Sequence, residues 1–327
     1  LRLVGSEMCI RDRSHILLTS PLPLICNLFL TCSNTNILYR VKQMAYLTHK
    51  FGRTHYTKKG RNTSTPLIYL HGGPGGSHQP NSPVFRLAEK RQVYAYTQIG
   101  SGKSSPTQKK FWNIGSFVQE LDFLISGWGL DQFHLMGSSW GTTLALEYYL
   151  RKKGKGVVAL IFQSPLFNAM DWKKDGRRLI RGLPESTQKI INCCHKIGAT
   201  DSRVYREAMF QYYLRHVLRN RSKLKKKMSS HDAHGKAIYA HMWGVSEFEP
   251  TGTLKNLDRV EDLSKIQVPS LIICGEHDEA TPKTGLRYAN CIKDCSFEVI
   301  QGASHSIWSE QPARIGRVIN AFLQKSS

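Results

Sequence analysis

The chain has 327 residues, 40% of them hydrophobic, 10% aromatic and 21% charged. That is enough apolar material for a packed interior, which excludes a peptide hormone, a disulfide-stapled miniprotein or a wholly disordered chain, and fits one elaborated α/β domain or two smaller ones. Lys and Arg number 46 against 24 Asp and Glu, and the net +22 raises nucleic acid, anionic membrane or acidic partners. The excess is local, because residues 151–227 hold 20 basic against 5 acidic side chains, and it reads as a solvated helical surface.

At the N-terminus, Ile16 to Leu30 is mostly apolar and follows Arg11 and Arg13, superficially the plan of a signal peptide. Pro21 and Pro23 interrupt it, it is short for a bilayer span, and no small-residue cleavage site follows. The run SEMCIRDR (Ser6 to Arg13) also resembles translated sequencing-adapter DNA, so residues 1–43 are set apart from the fold. The eight cysteines, Cys9, Cys26, Cys32, Cys193, Cys194, Cys274, Cys291 and Cys295, lack paired zinc-site spacing, so reduced thiols in a cytoplasmic protein are expected. Secretion remains the alternative if the apolar segment is genuine. Neither a metal nor a cofactor is expected.

From Met44 onward short apolar runs alternate with helical periodicity. Strands are predicted at Pro66–Leu70, Gln92–Thr97, Gln132–Met136 and Val157–Phe162. Ser116 and Gln119 suggest a capping box opening a helix with Phe117, Leu121, Leu124 and Trp128 on one face, and a second helix is expected over Thr142–Arg151. Residues 165–253 then read as polar, basic and helical, with one helix through Glu207, Phe210, Tyr213, Leu214 and Leu218. Strands return at Ser270–Cys274 and Ser296–Ile300, and an amphipathic helix closes the chain over Pro312–Leu323. Such alternation predicts an α/β fold, a mostly parallel sheet flanked by helices. The expected parts are a core over 44–164 and 257–327, and an inserted helical cap over 165–256.

Gly137-Ser138-Ser139-Trp140-Gly141 stands between a predicted strand and a predicted helix, which is the context of a nucleophile elbow. Elsewhere the same letters would be an ordinary Gly/Ser loop. A serine hydroxyl needs a base, and the base needs an orienting carboxylate. Asp278 follows the resumed strand, and His305 follows the last one, so topology brings both to the elbow's end of the sheet. Among 13 histidines the rival is His277, read as loop packing; Asp258, Asp262 and Glu279 compete with Asp278 as the acid. His71-Gly72-Gly73-Pro74-Gly75-Gly76 offers a backbone for an oxyanion hole, with the amides of Gly73 and Trp140 as donors. No Walker Lys-Ser/Thr follows that loop and no GxGxxG is present, which argues against nucleotide binding.

HGGPGG, GSSWG, GEHDEATP (Gly275 to Pro282) and GASH (Gly302 to His305), in this order, resemble the landmarks of the proline iminopeptidase (prolyl aminopeptidase) family of α/β-hydrolase serine peptidases. The resemblance runs through MWGVSEF (Met242 to Phe248) and TGTLKNLD (Thr251 to Asp258) to the C-terminus. It implies release of an N-terminal proline from small peptides through an acyl-enzyme, with Ser139, Asp278 and His305 as the triad. It further implies that Glu247 and Glu279, with Tyr239, receive the substrate's free amine. A buried ammonium needs such carboxylates. One departure stands out: where the family has Asp-Gln-Arg before Gly-x-Gly-x-Ser, this chain has Thr97, Gln98 and Ile99, which puts support of the neighbouring oxyanion loop in question. The alternatives are a carboxylesterase or amino-acid amidase of the same fold, or a non-catalytic protein using Lys223, Lys225, Lys226 and Lys227 to bind nucleic acid. Nucleic-acid and membrane partners are not expected.

Overall fold

The computed structural model describes residues 45–228 and 232–326. The signal-like stretch, the adapter-like run and Cys9, Cys26 and Cys32 lie outside them. An unpredicted hairpin opens the described chain: β1 (Ala45–His49) pairs antiparallel with β2 (Gly52–Lys59), and β2 pairs antiparallel with β4 (Val93–Tyr96). The remaining strands, β3 (Leu67–Leu70), β5 (Phe133–Ser138), β6 (Val157–Gln163), β7 (Ser270–Gly275) and β8 (Cys295–Ile300), are parallel to β4 and to one another. Together they make an eight-stranded sheet ordered β1-β2-β4-β3-β5-β6-β7-β8. β4, β5 and β7 are buried at every position, as expected of parallel strands covered on both faces.

One face is covered by α1 (Ile114–Trp128), α2 (Trp140–Arg151) and α8 (Pro282–Ala289), through Phe117, Leu121, Leu124, Leu144 and Tyr288. The opposite face is covered by α9 (Ile307–Glu310) and α10 (Pro312–Lys325), whose Ile307, Ile315, Ile319 and Leu323 pack with Val84 and Leu87. The N-cap of α1 is Asn113, whose side chain accepts from the Ser116 amide at 3.0 Å, and not Ser116 as the capping-box reading expected. Asparagine three residues earlier is an equally good cap, and it leaves Ser116 buried inside the first turn.

Between β6 and β7 lie α3 (Ala169–Ile180), α4 (Glu185–Ile197), α5 (Arg203–His216), α6 (Arg221–Met228) and α7 (Ala233–Met242). The insertion has its own apolar cluster, including Ile180, Ile191, Met209, Tyr212 and Phe248. Its base is pinched where Ala169 N–H donates to Leu257 O and Arg259 N–H to Phe167 O, each at 2.9 Å. The helix expected to reach Leu218 stops at His216, and Leu218 is buried just beyond it. Among the described residues no helix is long and apolar enough to cross a membrane.

Candidate active site

All four motifs follow parallel strands, β3, β5, β7 and β8, so their residues collect at the carboxyl edge of the sheet. Ser139 joins β5 to α2 with φ 54° and ψ −124°, an unfavourable backbone for a residue with a side chain. Its neighbours explain why the turn survives. A Cβ on Gly137 would stand 2.2 Å from Gly141 O, and one on Gly141 2.3 Å from Leu70 O, so only glycine fits at either place. The Ser139 amide is tied to Gln163 O at 2.9 Å, while its hydroxyl makes no hydrogen bond among the described residues. The side chain is half-buried and open to a reactant.

His305 Nδ1 lies 2.7 Å from Asp278 Oδ1, and Asp278 is fully enclosed. The same carboxylate accepts from Ser164 Oγ at 2.6 Å, Gly275 N–H at 3.1 Å and Ala280 N–H at 2.9 Å. Those donors consume its acceptor capacity and fix its plane, so the imidazole donates from Nδ1 and keeps Nε2 as the acceptor. Ser164 was not foreseen; it holds φ 52° at the end of β6 and points its hydroxyl at the acid. The imidazole also meets Trp172 edge to face at 5.7 Å. Its loop is anchored by the insertion, because His305 N–H donates to His216 O at 3.1 Å and Ser306 N–H to Val217 O at 2.9 Å.

The rival residues take other places. His277 has its Nε2 3.6 Å from Glu276, while its carbonyl receives His216 Nδ1 at 3.0 Å. Asp258 caps the Val260 amide, and Asp262 pairs with Lys265 at the surface.

The HGGPGG loop passes beside the nucleophile: a Cβ on Gly72 would be 3.1 Å from that of Ser139. Trp140 holds the first position of α2, where a helix leaves amides without an intrahelical acceptor. Gln98 connects these two pieces. Its amide N–H donates to His71 Nε2 at 3.0 Å, its side-chain nitrogen to His71 O at 3.3 Å, and its side-chain oxygen accepts from Trp140 Nε1 at 3.0 Å. The retained member of the departing Thr-Gln-Ile segment thus braces both sides. Thr97 contributes its hydroxyl to His78 Nδ1 at 2.8 Å. Ile99 is buried, and its amide meets the Glu120 carboxyl at 3.0 and 3.1 Å. The one basic side chain paired with Glu120 among the described residues is His49, at 3.9 Å.

Glu279 is buried beside the triad, with Oε1 4.0 Å from His305 Nε2. Glu247 is half-buried on the loop after α7; Tyr239 O–H donates to it at 2.9 Å, and the indoles of Trp172 and Trp243 both clamp its backbone carbonyl at 3.0 Å. Burial pushes Glu279 well above the carboxylate range, and the charges of Glu247 and Asp278 push it further. Burial also raises Glu247, against the pull of His305 and Tyr239. Glu279 Oε2 and the hydroxyl of Tyr212 are buried facing each other, too loosely placed for a well-formed hydrogen bond, and neither has another partner among the described residues. Orphans of that kind mark a place built for a polar guest. Tyr212 was missed because its position in a helical run carries no signal of its own. The five cysteines in the described residues are free thiols, and Cys274 is buried in β7 as expected.

This arrangement can attack an acyl carbon, hold the resulting oxyanion and accept a cation next to it. The comparisons with known proteins agree. The model of the α/β hydrolase fold matches residues 65–312. A proline iminopeptidase of Heyndrickxia coagulans is 38% identical over 278 residues, covering 83% of this chain and 95% of that protein. The crystal structure of VinJ superposes with a TM-score of 0.80 at 29% identity, covering 88% of this chain and 99% of the other. That of proline iminopeptidase from Mycobacterium smegmatis gives 0.76 at 29%, covering 86% and 98%. With 38% identity to a proline iminopeptidase over 95% of that protein's length, and the α/β hydrolase model matched over residues 65–312, the chain belongs to the proline iminopeptidase family of α/β hydrolases.

Proposed function

We propose that the protein is a serine aminopeptidase that releases N-terminal proline from small peptides. The observation that carries this reading is the placing of Glu279 4.0 Å from His305 Nε2, with Glu247 near enough for its charge to raise the Glu279 carboxyl. An esterase has no use for two carboxyls there, one buried and one half-buried, whereas a protonated secondary amine deprived of water requires them. The relatives named proline iminopeptidase support the same substrate.

Ser139 Oγ attacks the prolyl carbonyl carbon as its proton passes to His305 Nε2, and Asp278 stabilises the imidazolium through Nδ1. The amides of Gly73 and Trp140 receive the oxyanion, each worth on the order of 3 kcal/mol of barrier. The C–N bond breaks when His305 returns the proton to the leaving amine. Water then attacks the prolyl ester, His305 takes its proton and hands it to Ser139, and free proline departs. Residues 44–164 and 257–327 act as the hydrolase core in this scheme, and 165–256 as the cap that carries Tyr239 and Glu247. The free thiols support a cytoplasmic setting.

A panel of aminoacyl arylamides tests the reading. Prolyl arylamide should be the best substrate, and Ser139→Ala should abolish its turnover. Turnover of simple acyl esters without any aminoacyl arylamide would replace the proposal by a carboxylesterase.

A further inference from the structure

A cavity of about 370 Å³ lies between the end of α5 and the loop after β7, lined by Leu214, Arg215, His216, Arg219 and His277. Arg215 and Arg219 make two of its five walls cationic, while burial holds His216 towards its neutral form with Nδ1 on His277 O. Two of the neighbouring acids are engaged elsewhere, and a third, Glu276, faces His277. Glu310 accepts from the Arg219 amide and from Ser304, and Asp278 is held by the triad and Ser164. Glu276 accepts from Gly302 N–H at 2.8 Å and stands 3.6 Å from His277 Nε2. Arg215 spends one nitrogen on Gly182 O at 2.7 Å and complements the negative end of α5. Arg219 lies past that helix end and its guanidinium has no partner among the described residues. A repulsive cluster of this kind is stabilised when an anion joins it.

We propose that this cleft binds a small phosphate-bearing anion, gripped by the forks of Arg215 and Arg219 with His277 on the opposite wall. The volume suits a small molecule rather than a lone ion. Such a ligand would bridge the insertion to the catalytic loops, because His216 O holds the His305 amide and His277 is the residue before Asp278.

Calorimetric titration of the full chain with inorganic phosphate and with pyrophosphate, at constant ionic strength in chloride, tests it. Saturable binding is expected, tighter for pyrophosphate. Arg219→Gln should weaken it by about tenfold or more, the loss of one charge-assisted pair. Its thermal midpoint in chloride alone should stay at the wild-type value, since that guanidinium holds nothing. Arg215→Gln provides the second variant. No saturable binding, or equal binding by wild type and both variants, would overturn the assignment. Saturable binding of citrate without binding of either phosphate would overturn the ligand class.

Discussion

Gly75 of the HGGPGG loop and Gly235 of α7 meet backbone to backbone: a Cβ on Gly75 would lie 2.1 Å from Gly235 O, and one on Gly235 2.2 Å from Gly75 O. Asp232 locks the seam, accepting from Gly102 N–H at 2.8 Å and from Gly235 N–H at 2.9 Å. The same helix presents Tyr239 to Glu247. One helix therefore touches both the proposed amine pocket and the proposed oxyanion loop. In an ordinary helix Gly→Ala stabilises by about 1 kcal/mol. Here Gly235→Ala must displace the loop, and we expect kcat to fall by about tenfold or more on prolyl arylamide and on a simple acyl ester alike. Steady-state kinetics on both substrates checks it; a loss confined to the arylamide would detach the seam from the oxyanion loop.

Gln98 predicts a related loss by a different route. Removing its side chain frees His71 O and Trp140 Nε1, the two elements that flank the nucleophile. Gln98→Ala should lower kcat by roughly ten- to a hundredfold, a fraction of what losing a whole oxyanion donor costs, with little change in KM. A rise in KM at constant kcat would show that Gln98 serves binding instead.

The raised Glu279 and Glu247 carboxyls make substrate binding proton-linked. With both pKa values lifted by burial, the free pocket retains a proton at pH values where ordinary carboxylates have lost theirs, and an entering ammonium expels it. kcat/KM should therefore rise with pH as that proton is lost, then fall as the substrate amine itself deprotonates near about pH 8. Calorimetry of a non-hydrolysable prolyl analogue in buffers of different ionisation enthalpy should register proton release. Proton uptake, or none, would contradict the pocket's charge state.

Glu120 governs stability rather than chemistry. Burial lifts its pKa to about 8, whereas in the unfolded chain it ionises near about 4.3. The folded state then binds the extra proton between these values, so this contribution to stability is full below about pH 4.3 and is lost as pH rises to about 8. The loss is on the order of a few kcal/mol. Glu120→Gln keeps an acceptor for Thr54 and the Ile99 amide and should flatten that decline in denaturant midpoints. Buried His71 and His78, lowered to about 4 and about 3, act oppositely and destabilise the fold as pH drops below about 6.5. That acid limb should be unchanged in the variant.

What the sequence revealed follows from how each part is buried. The parallel strands were legible because enclosure on both faces demands continuous apolar runs such as LIYL and VVALIFQ. The β1–β2 hairpin escaped because the edge strand β1 is only partly buried and GRTHYTKK, next to it, is largely polar. The eight-residue α8 escaped although Thr281 and Pro282 mark its start, since so short a helix shows barely two turns of periodicity. Ser139, Asp278 and His305 were nameable because each sits in a motif after a strand. Gln98, Ser164, Tyr212 and Asp232 were not given roles, since they act through contacts between segments far apart in the chain.

In the proposed reaction a free substrate amine is held by Glu247 and Glu279 while Ser139 attacks the adjacent carbonyl. Comparing kcat/KM for prolyl arylamide with that for its N-acetylated counterpart tests this most directly. Blocking the amine should cost about a hundredfold or more, because both carboxyls lose their cationic partner. Equal rates on the two substrates would contradict the account.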